Sequence, residues 1–318
     1  GKDNKKDLSK INLSLYPEVD TFYKKLSNWL GVDTDQLFIT EGVSGAIKAI
    51  IETLTIPRKN NIIFPYPTFA LYPVYCQMFS VQSKFIGYLK NYNLDFDQLI
   101  ESIDDETAVV FLPNPNMPIE GYMNIDKIRL VAEKCLKNNV MLVLDEVYYP
   151  FGGKSGIELI NDYNNILIMR SFSKAFGLAG IRLGYVIGSN ENINYISKTR
   201  TGYETNSISQ AVATFFIDNY NVIDEYINEV KLGLNYLKEK LQQSNIEFAS
   251  GEAGNFLFIN LKDRKLSEGI VQFLNKKNIY IRGGWPKPFD QGFSVTGAPI
   301  STMKIFYNSF IEGLKVFK

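Results

Sequence analysis

Three short apolar runs constrain this chain more than any other feature. Ala108-Val109-Val110-Phe111-Leu112, Val140-Met141-Leu142-Val143-Leu144 and Ile166-Leu167-Ile168-Met169 are continuous, not alternating. A strand buried on both faces has this pattern, and such strands belong to parallel sheets covered by helices. Between the first two runs, Ile125 to Leu136 has the spacing of an amphipathic helix. The second run ends in Asp145-Glu146-Val147-Tyr148. A carboxylate at the carboxyl end of a parallel strand lies where α/β sheets bind ligands.

Composition narrows the chemistry by exclusion. The 318 residues, 45% of them hydrophobic, suffice for one large α/β domain or a large and a small one. Basic and acidic residues balance at 34 each, which gives no electrostatic case for nucleic acid or an anionic membrane. The absence of histidine excludes Ser-His-Asp and Cys-His catalysis and histidine metal sites. A proton shuttle near neutral pH must then be a perturbed lysine, carboxylate, tyrosine or cysteine. Cys76 and Cys135 are too few for a disulfide framework and lack metal-like spacing, so a reducing cytosol is expected. No apolar run approaches a membrane span, and the first six residues are too polar for a signal peptide.

After the third run comes Ser171-Phe172-Ser173-Lys174-Ala175-Phe176-Gly177-Leu178-Ala179-Gly180-Ile181-Arg182. Hydroxyls, glycine-freed amides and a guanidinium are what a phosphate dianion needs. A lysine beside them can form an imine with a carbonyl. An aldehyde carrying a phosphate satisfies both halves, and pyridoxal phosphate is such a molecule. Ser-x-Ser-Lys alone reads as a polar turn with a solvated lysine. The longer run resembles the cofactor-lysine segment of class I/II aminotransferases, most closely the histidinol-phosphate aminotransferase family. The resemblance implies that Lys174 carries the cofactor while Ser171, Ser173 and Arg182 hold its phosphate.

Further segments carry the same resemblance. Glu41-Gly42-Val43-Ser44-Gly45 opens an apolar helix running from Ala46 to Leu54. By itself it is an ordinary capped helix; in the family this turn gives backbone amides to the phosphate, here Val43 and Ser44. Tyr66-Pro67-Thr68-Phe69-Ala70-Leu71-Tyr72 is similar to a Pro-Thr-Tyr-x-x-Tyr segment whose first aromatic, here Phe69, stacks on the pyridine ring. Pro113-Asn114-Pro115-Asn116-Met117-Pro118-Ile119-Glu120-Gly121 resembles Asn-Pro-Asn-Asn-Pro-Thr-Gly, with Met117 in place of an asparagine and Ile119-Glu120 in place of one threonine. The donor to the cofactor's phenolic oxygen is assigned to Asn116, with Asn114 as the alternative. Asp145 and Tyr148 match the family's aspartate on the pyridine nitrogen and tyrosine on the phenolic oxygen. Tyr16, in Tyr16-Pro17, matches a tyrosine that reaches the partner subunit's cofactor, which implies a homodimer. Relatives carry an Asn-Glu-Asn-Pro-like stretch before it; this sequence starts shortly before Tyr16, so that covering segment is either outside it or lacking.

Past Gly188 the pattern changes. Ile227, Val230, Leu234, Leu237 and Leu241 mark one long amphipathic helix. Asn255 to Asn260 and Asn278 to Arg282 read as strands with a helix, Leu266 to Leu274, between them, and a last helix runs from Ser301 to Phe317. The family's arginine for the substrate α-carboxylate aligns with Phe293, leaving Arg282 as the best remaining anion grip. The chain is therefore expected to be α/β, a fold type I pyridoxal-phosphate-dependent transferase. A large domain with a mostly parallel seven-stranded sheet between helices (16–205) follows an N-terminal arm (1–15) and precedes a small α+β C-terminal domain (206–318). The expected activity is transamination of a small, phosphorylated amine or amino acid with a keto acceptor. The rivals are a threonine-phosphate decarboxylase-like enzyme and a cofactor-binding sensor domain.

Overall fold

The computed structural model describes residues 11–119 and 121–317. Of the expected arm, residues 1–10 lie outside the described residues, as does Glu120 of the asparagine-proline turn. Seven strands form the large sheet: β1 (Leu37–Thr40), β2 (Asn61–Pro65), β3 (Gln82–Ile86), β4 (Thr107–Pro113), β5 (Met141–Asp145), β6 (Ile166–Ser171) and β7 (Gly184–Gly188). Their order is β1-β7-β6-β5-β4-β2-β3, with β7 antiparallel to both neighbours and the other pairs parallel. The helices are α1 (Val19–Leu30), α2 (Gly42–Leu54), α3 (Leu71–Met78), α4 (Phe96–Ser102), α5 (Ile125–Lys137), α6 (Asn190–Ile196), α7 (Ser207–Asp218), α8 (Asn221–Gln243), α9 (Arg264–Lys276) and α10 (Ile300–Phe317).

The continuous apolar runs are explained by helices on both faces. Side chains alternate along a strand. Val110, Leu112, Leu142, Leu144, Ile166 and Ile168 enter one core with α1 and α5. Val109, Phe111, Val143, Leu167 and Met169 enter the other with Ala46, Ile47 and Ile50 of α2 and Tyr72 and Cys76 of α3. Because β4, β5 and β6 run parallel and in register, Asn114, Asp145 and Ser171 emerge at the same edge. Hydrogen bonds continue past the strand ends, from Asn114 N–H to Asp145 O (2.9 Å) and from Glu146 N–H to Met169 O (2.9 Å).

The smaller sheet is antiparallel, ordered β10 (Gly292–Thr296), β9 (Phe256–Asn260), β8 (Glu247–Ala249), and packs on α8, α9 and α10. One expectation is corrected here. Asn278 to Arg282 is not a strand: only Arg282 makes a β-bridge, to Ser294. Asn278 and Gly284 bracket it with positive φ, and Tyr280 is exposed, so the apolar pattern has no sheet face to occupy. The third strand is instead β8, three residues at an edge with no apolar signature. Beyond the expected break at 205/206, α7 packs on α1, and its Ser209 hydroxyl donates to Ile181 O (2.7 Å), so this helix sits with the large sheet. Among the described residues no helix is long and apolar enough to cross a membrane.

Candidate active site

Lys174 sits on a turn pinned by two phenylalanines. Phe172 and Phe176 are buried with ring centroids 4.6 Å apart, and Ala175 is buried with them, which leaves Ser173 and Lys174 half-buried at the turn. The Ser171 hydroxyl accepts from Ser173 N–H (3.0 Å) and meets the Ser173 hydroxyl (2.9 Å), while Gly177 N–H closes the turn on Lys174 O (3.0 Å). Lys174 Nζ lies 5.4 Å from the centre of the Tyr148 ring. Burial lowers its proton affinity and the Arg282 charge acts in the same sense, against the opposing pull of Asp145.

Asp145 is buried at the end of β5, where Tyr72 donates a 2.6 Å hydrogen bond and Val147 N–H a 3.1 Å one. Desolvation pushes its carboxyl from 3.8 up to about 6, more than these bonds lower it. Among the described residues it has no salt bridge, so a cationic ring nitrogen would relieve a standing cost. Tyr72 was not assigned a role from sequence. The signal was available in the second aromatic of the same segment, three residues after Phe69, and the two rings meet edge to face at 6.2 Å. Phe69 itself is 40% exposed, a free aromatic face beside the carboxylate.

The phosphate residues converge through backbone contact. Gly42 opens α2 with φ +66°, and the helix begins there, not at Ala46, so Val43 and Ser44 lie in its first turn. Gly184 is pressed so close that an added Cβ would lie 2.7 Å from the Gly42 carbonyl carbon. Gly184 also pairs with Ser171 across β6 and β7. The guanidinium of Arg182 lies 2.9 Å from where a Gly42 Cβ would project. Ser171, Arg182 and the orphan amides at the start of α2 thus share one corner, the arrangement that binds anions.

The asparagines are otherwise engaged. Asn114 donates to Met123 O (2.9 Å) and accepts from Met123 N–H (2.7 Å). Asn116 accepts from the Thr68 hydroxyl (2.7 Å) and donates to Pro67 O (2.9 Å) and to the Tyr88 hydroxyl. It therefore ties the exit of β4 to the segment carrying Phe69. Tyr148 is buried, and its hydroxyl donates to the Met117 sulfur at 3.0 Å.

Arg282 stacks on Trp285 at 4.1 Å, and the indole N–H donates to Arg282 O (3.1 Å). Its charge reaches both Lys174 and Tyr148. Phe293, aligned with the family's carboxylate arginine, packs on Phe310 of α10 at 5.7 Å, inside the small-domain core. Its neighbour Ser294 occupies the opposite face, in register with Phe258. Tyr16 is 77% exposed and stacks on Tyr203 at 4.4 Å, so it does not enter the site of its own chain. Sequence reading also missed the buried pair of Arg170 and Glu146 (2.9 Å), backed by Tyr149 at 4.2 Å. A charge at the end of an apolar strand required such a partner. It removes Arg170 from the arginines open to substrate.

A lysine, a buried carboxylate with no salt bridge among the described residues, an exposed aromatic face and an anion corner form a donor set that fits pyridoxal phosphate. The profile of the family Aminotransferase class I and II matches residues 2–293. The histidinol-phosphate aminotransferase of Ruminiclostridium cellulolyticum is 30% identical over 284 residues, covering 85% of this chain and 75% of that protein. That of Thermoanaerobacter pseudethanolicus is 28% identical over 276 residues, covering 86% and 76%. The solved histidinol-phosphate aminotransferase of Sinorhizobium meliloti, in complex with pyridoxal-5'-phosphate, shares the fold with a TM-score of 0.88 at 21% identity, over 96% of this chain and 84% of that one. The chain belongs to the class I and II aminotransferase family, and it is a pyridoxal-phosphate-dependent aminotransferase.

Proposed function

We propose that this enzyme transfers the amino group of a phosphorylated amine or amino acid, of the histidinol phosphate kind, to a keto acid. One observation carries the substrate class: Arg282 is an exposed guanidinium that makes no ion pair among the described residues, yet stands close enough to Lys174 and Tyr148 to bias both. A guanidinium fork suits a phosphate. The names of the relatives support the same class.

Val43 and Ser44 amides, the hydroxyls of Ser171 and Ser173, and Arg182 would hold the cofactor phosphate. Phe69 would cover the ring, Asp145 face its nitrogen, Tyr148 its phenolic oxygen, and Lys174 its aldehyde carbon. Asn116 contributes by fixing Thr68 and Pro67, which set the Phe69 segment. The bound cofactor supplies an electron sink for the carbon bearing the amino group. Asp145, held by Tyr72, keeps a negative charge fixed where the ring needs a positive one. Lys174, its proton affinity lowered by burial, takes a proton from the substrate carbon and gives it back from one fixed position.

A donor panel tests the reading. Phosphorylated donors should be turned over in preference to free amino acids, with a keto acid consumed stoichiometrically. Arg282→Ala should raise KM for phosphorylated donors about 10–100-fold, the worth of a charge-assisted contact. Equal activity of mutant and parent on those donors would remove Arg282 from the site, and release of carbon dioxide would replace transamination by decarboxylation. We also propose a homodimer in which the exposed Tyr16 serves the partner's site. Fully active monomers in sedimentation at micromolar concentration would refute that assembly.

A further inference from the structure

Met117 touches the Tyr148 hydroxyl, and the proposed reaction leaves it without a task. It is half-buried in the turn after β4, and its sulfur accepts the Tyr148 hydroxyl at 3.0 Å. A thioether is a weak acceptor and cannot donate. The asparagines of the same turn are bonded to other partners. Asn114 is bonded through its nitrogen and its oxygen to Met123, and Asn116 to Thr68, Pro67 and Tyr88. Among the described residues, the charged and titratable groups facing this corner are Lys174 from the β6 turn, Asp145 at the end of β5 with Tyr72 of α3 upon it, and Arg282 from the small domain. None of these brings an amide to the Tyr148 hydroxyl.

We propose that Met117, by bringing no donor to this corner, sets the proton affinity of the Lys174 nitrogen in the holoenzyme. The single Tyr148 proton, which the Met117 sulfur accepts in the cofactor-free protein, would turn to the cofactor's phenolic oxygen and stabilise its negative charge without a second donor. This rests on the cofactor reading above, in which the lysine amine and the cofactor aldehyde give an imine and water. With one donor instead of two, more negative charge stays on the phenolic oxygen, and that charge holds the proton on the adjacent nitrogen. The nitrogen therefore keeps its proton to higher pH than it would beside a second donor.

The test is a spectrophotometric pH titration of the holoenzyme chromophore, without substrate. Met117→Asn should lower the titration midpoint by about one pH unit, a tenfold change in proton affinity. Met117→Leu, matched in size and without donor or acceptor, should titrate with the parent. Tyr148→Phe, tested in the Met117 parent, should raise the midpoint, because the last donor is gone. A Met117→Asn holoenzyme titrating with the parent, or a Leu variant shifting as far as the Asn variant, would overturn the proposal. So would a Tyr148→Phe midpoint equal to the parent's. A parent protein that takes up no chromophore from pyridoxal phosphate would instead overturn the cofactor reading itself, and the two failures are distinguishable by colour alone.

Discussion

The two edges that form the site are built differently. At the large sheet several groups assigned to the cofactor are held by the fold itself. Tyr72 grips Asp145, Ser171 and Ser173 bond each other, and Gly184 abuts Gly42 to bring Arg182 to the start of α2. At the small sheet, Arg282 is held by a single backbone bridge and a stack on Trp285, with its guanidinium exposed. The cofactor side is preorganised by packing that can hardly change without loss of the core. The substrate side hangs on a few contacts in a segment that is not a strand. Chemistry common to a family can thus sit in the rigid part, while substrate choice is set where changes are inexpensive.

That contrast can be broken from the rigid side first. Lys174→Ala should remove the covalent chromophore and lower kcat about 10⁴-fold, with circular dichroism unchanged. A retained chromophore band would overturn the assignment. Gly184→Ala drives a methyl into the Gly42 backbone. It should separate β7 from α2, lower Tm by several degrees through about 1–3 kcal/mol of overpacking, and weaken cofactor binding in equilibrium dialysis. Unchanged cofactor affinity would show that the contact does not shape the anion corner.

Asp145 gives a pH test of similar size. Its folded-state pKa is raised, from 3.8 to about 6, so the stability it allows is full below its unfolded value and is lost as pH rises through about 6. In the cofactor-free protein, Asp145→Asn should therefore stabilise at about pH 8, by on the order of 3 kcal/mol, and make no difference near pH 3. The cofactor should reverse the ranking at the higher pH, because only the carboxylate pairs with a cationic ring. Thermal melts of both forms at both pH values decide it. A cofactor-free mutant no more stable than the parent at the higher pH would mean that Tyr72 and Val147 already offset the burial.

The same difference explains what could be read without coordinates. β4, β5 and β6 were legible because a strand buried on two faces leaves no other pattern. The segment around Lys174 was legible because its chemistry lies within a dozen residues. The start of α2 was placed four residues late, since glycines hide a helix that needs Gly42 for its approach to Gly184 and Arg182. Asn278 to Arg282 had a strand's apolar content but lies between positive-φ residues, and β8 is too short and exposed to show a pattern. Phe293 aligned with a functional arginine yet points into the small-domain core, because register in a short strand decides the face and an alignment does not. Side-chain partnerships such as Tyr72 with Asp145 and Asn116 with Thr68 join distant segments, and no local pattern encodes them.

The smallest effect belongs to the loosely built side. Trp285 is buried among Ile119, Phe258 and Phe289, and presents its ring to Arg282 while its N–H holds Arg282 O. Trp285→Phe keeps an aromatic face and removes the N–H. The stack at an exposed guanidinium is worth about 0.5–1 kcal/mol, and the neutral hydrogen bond about as much. KM for a phosphorylated donor should rise about two- to fivefold, with kcat and the chromophore titration unchanged. An unphosphorylated donor should show no change, because it makes no use of the guanidinium. Joined to Arg282→Ala, the substitution should add nothing further, since Trp285 acts on the substrate only through Arg282. A twofold effect that persists in the double mutant would instead make Trp285 part of the substrate surface in its own right, and the contrast between a fixed cofactor edge and a lightly held substrate edge would have to be redrawn.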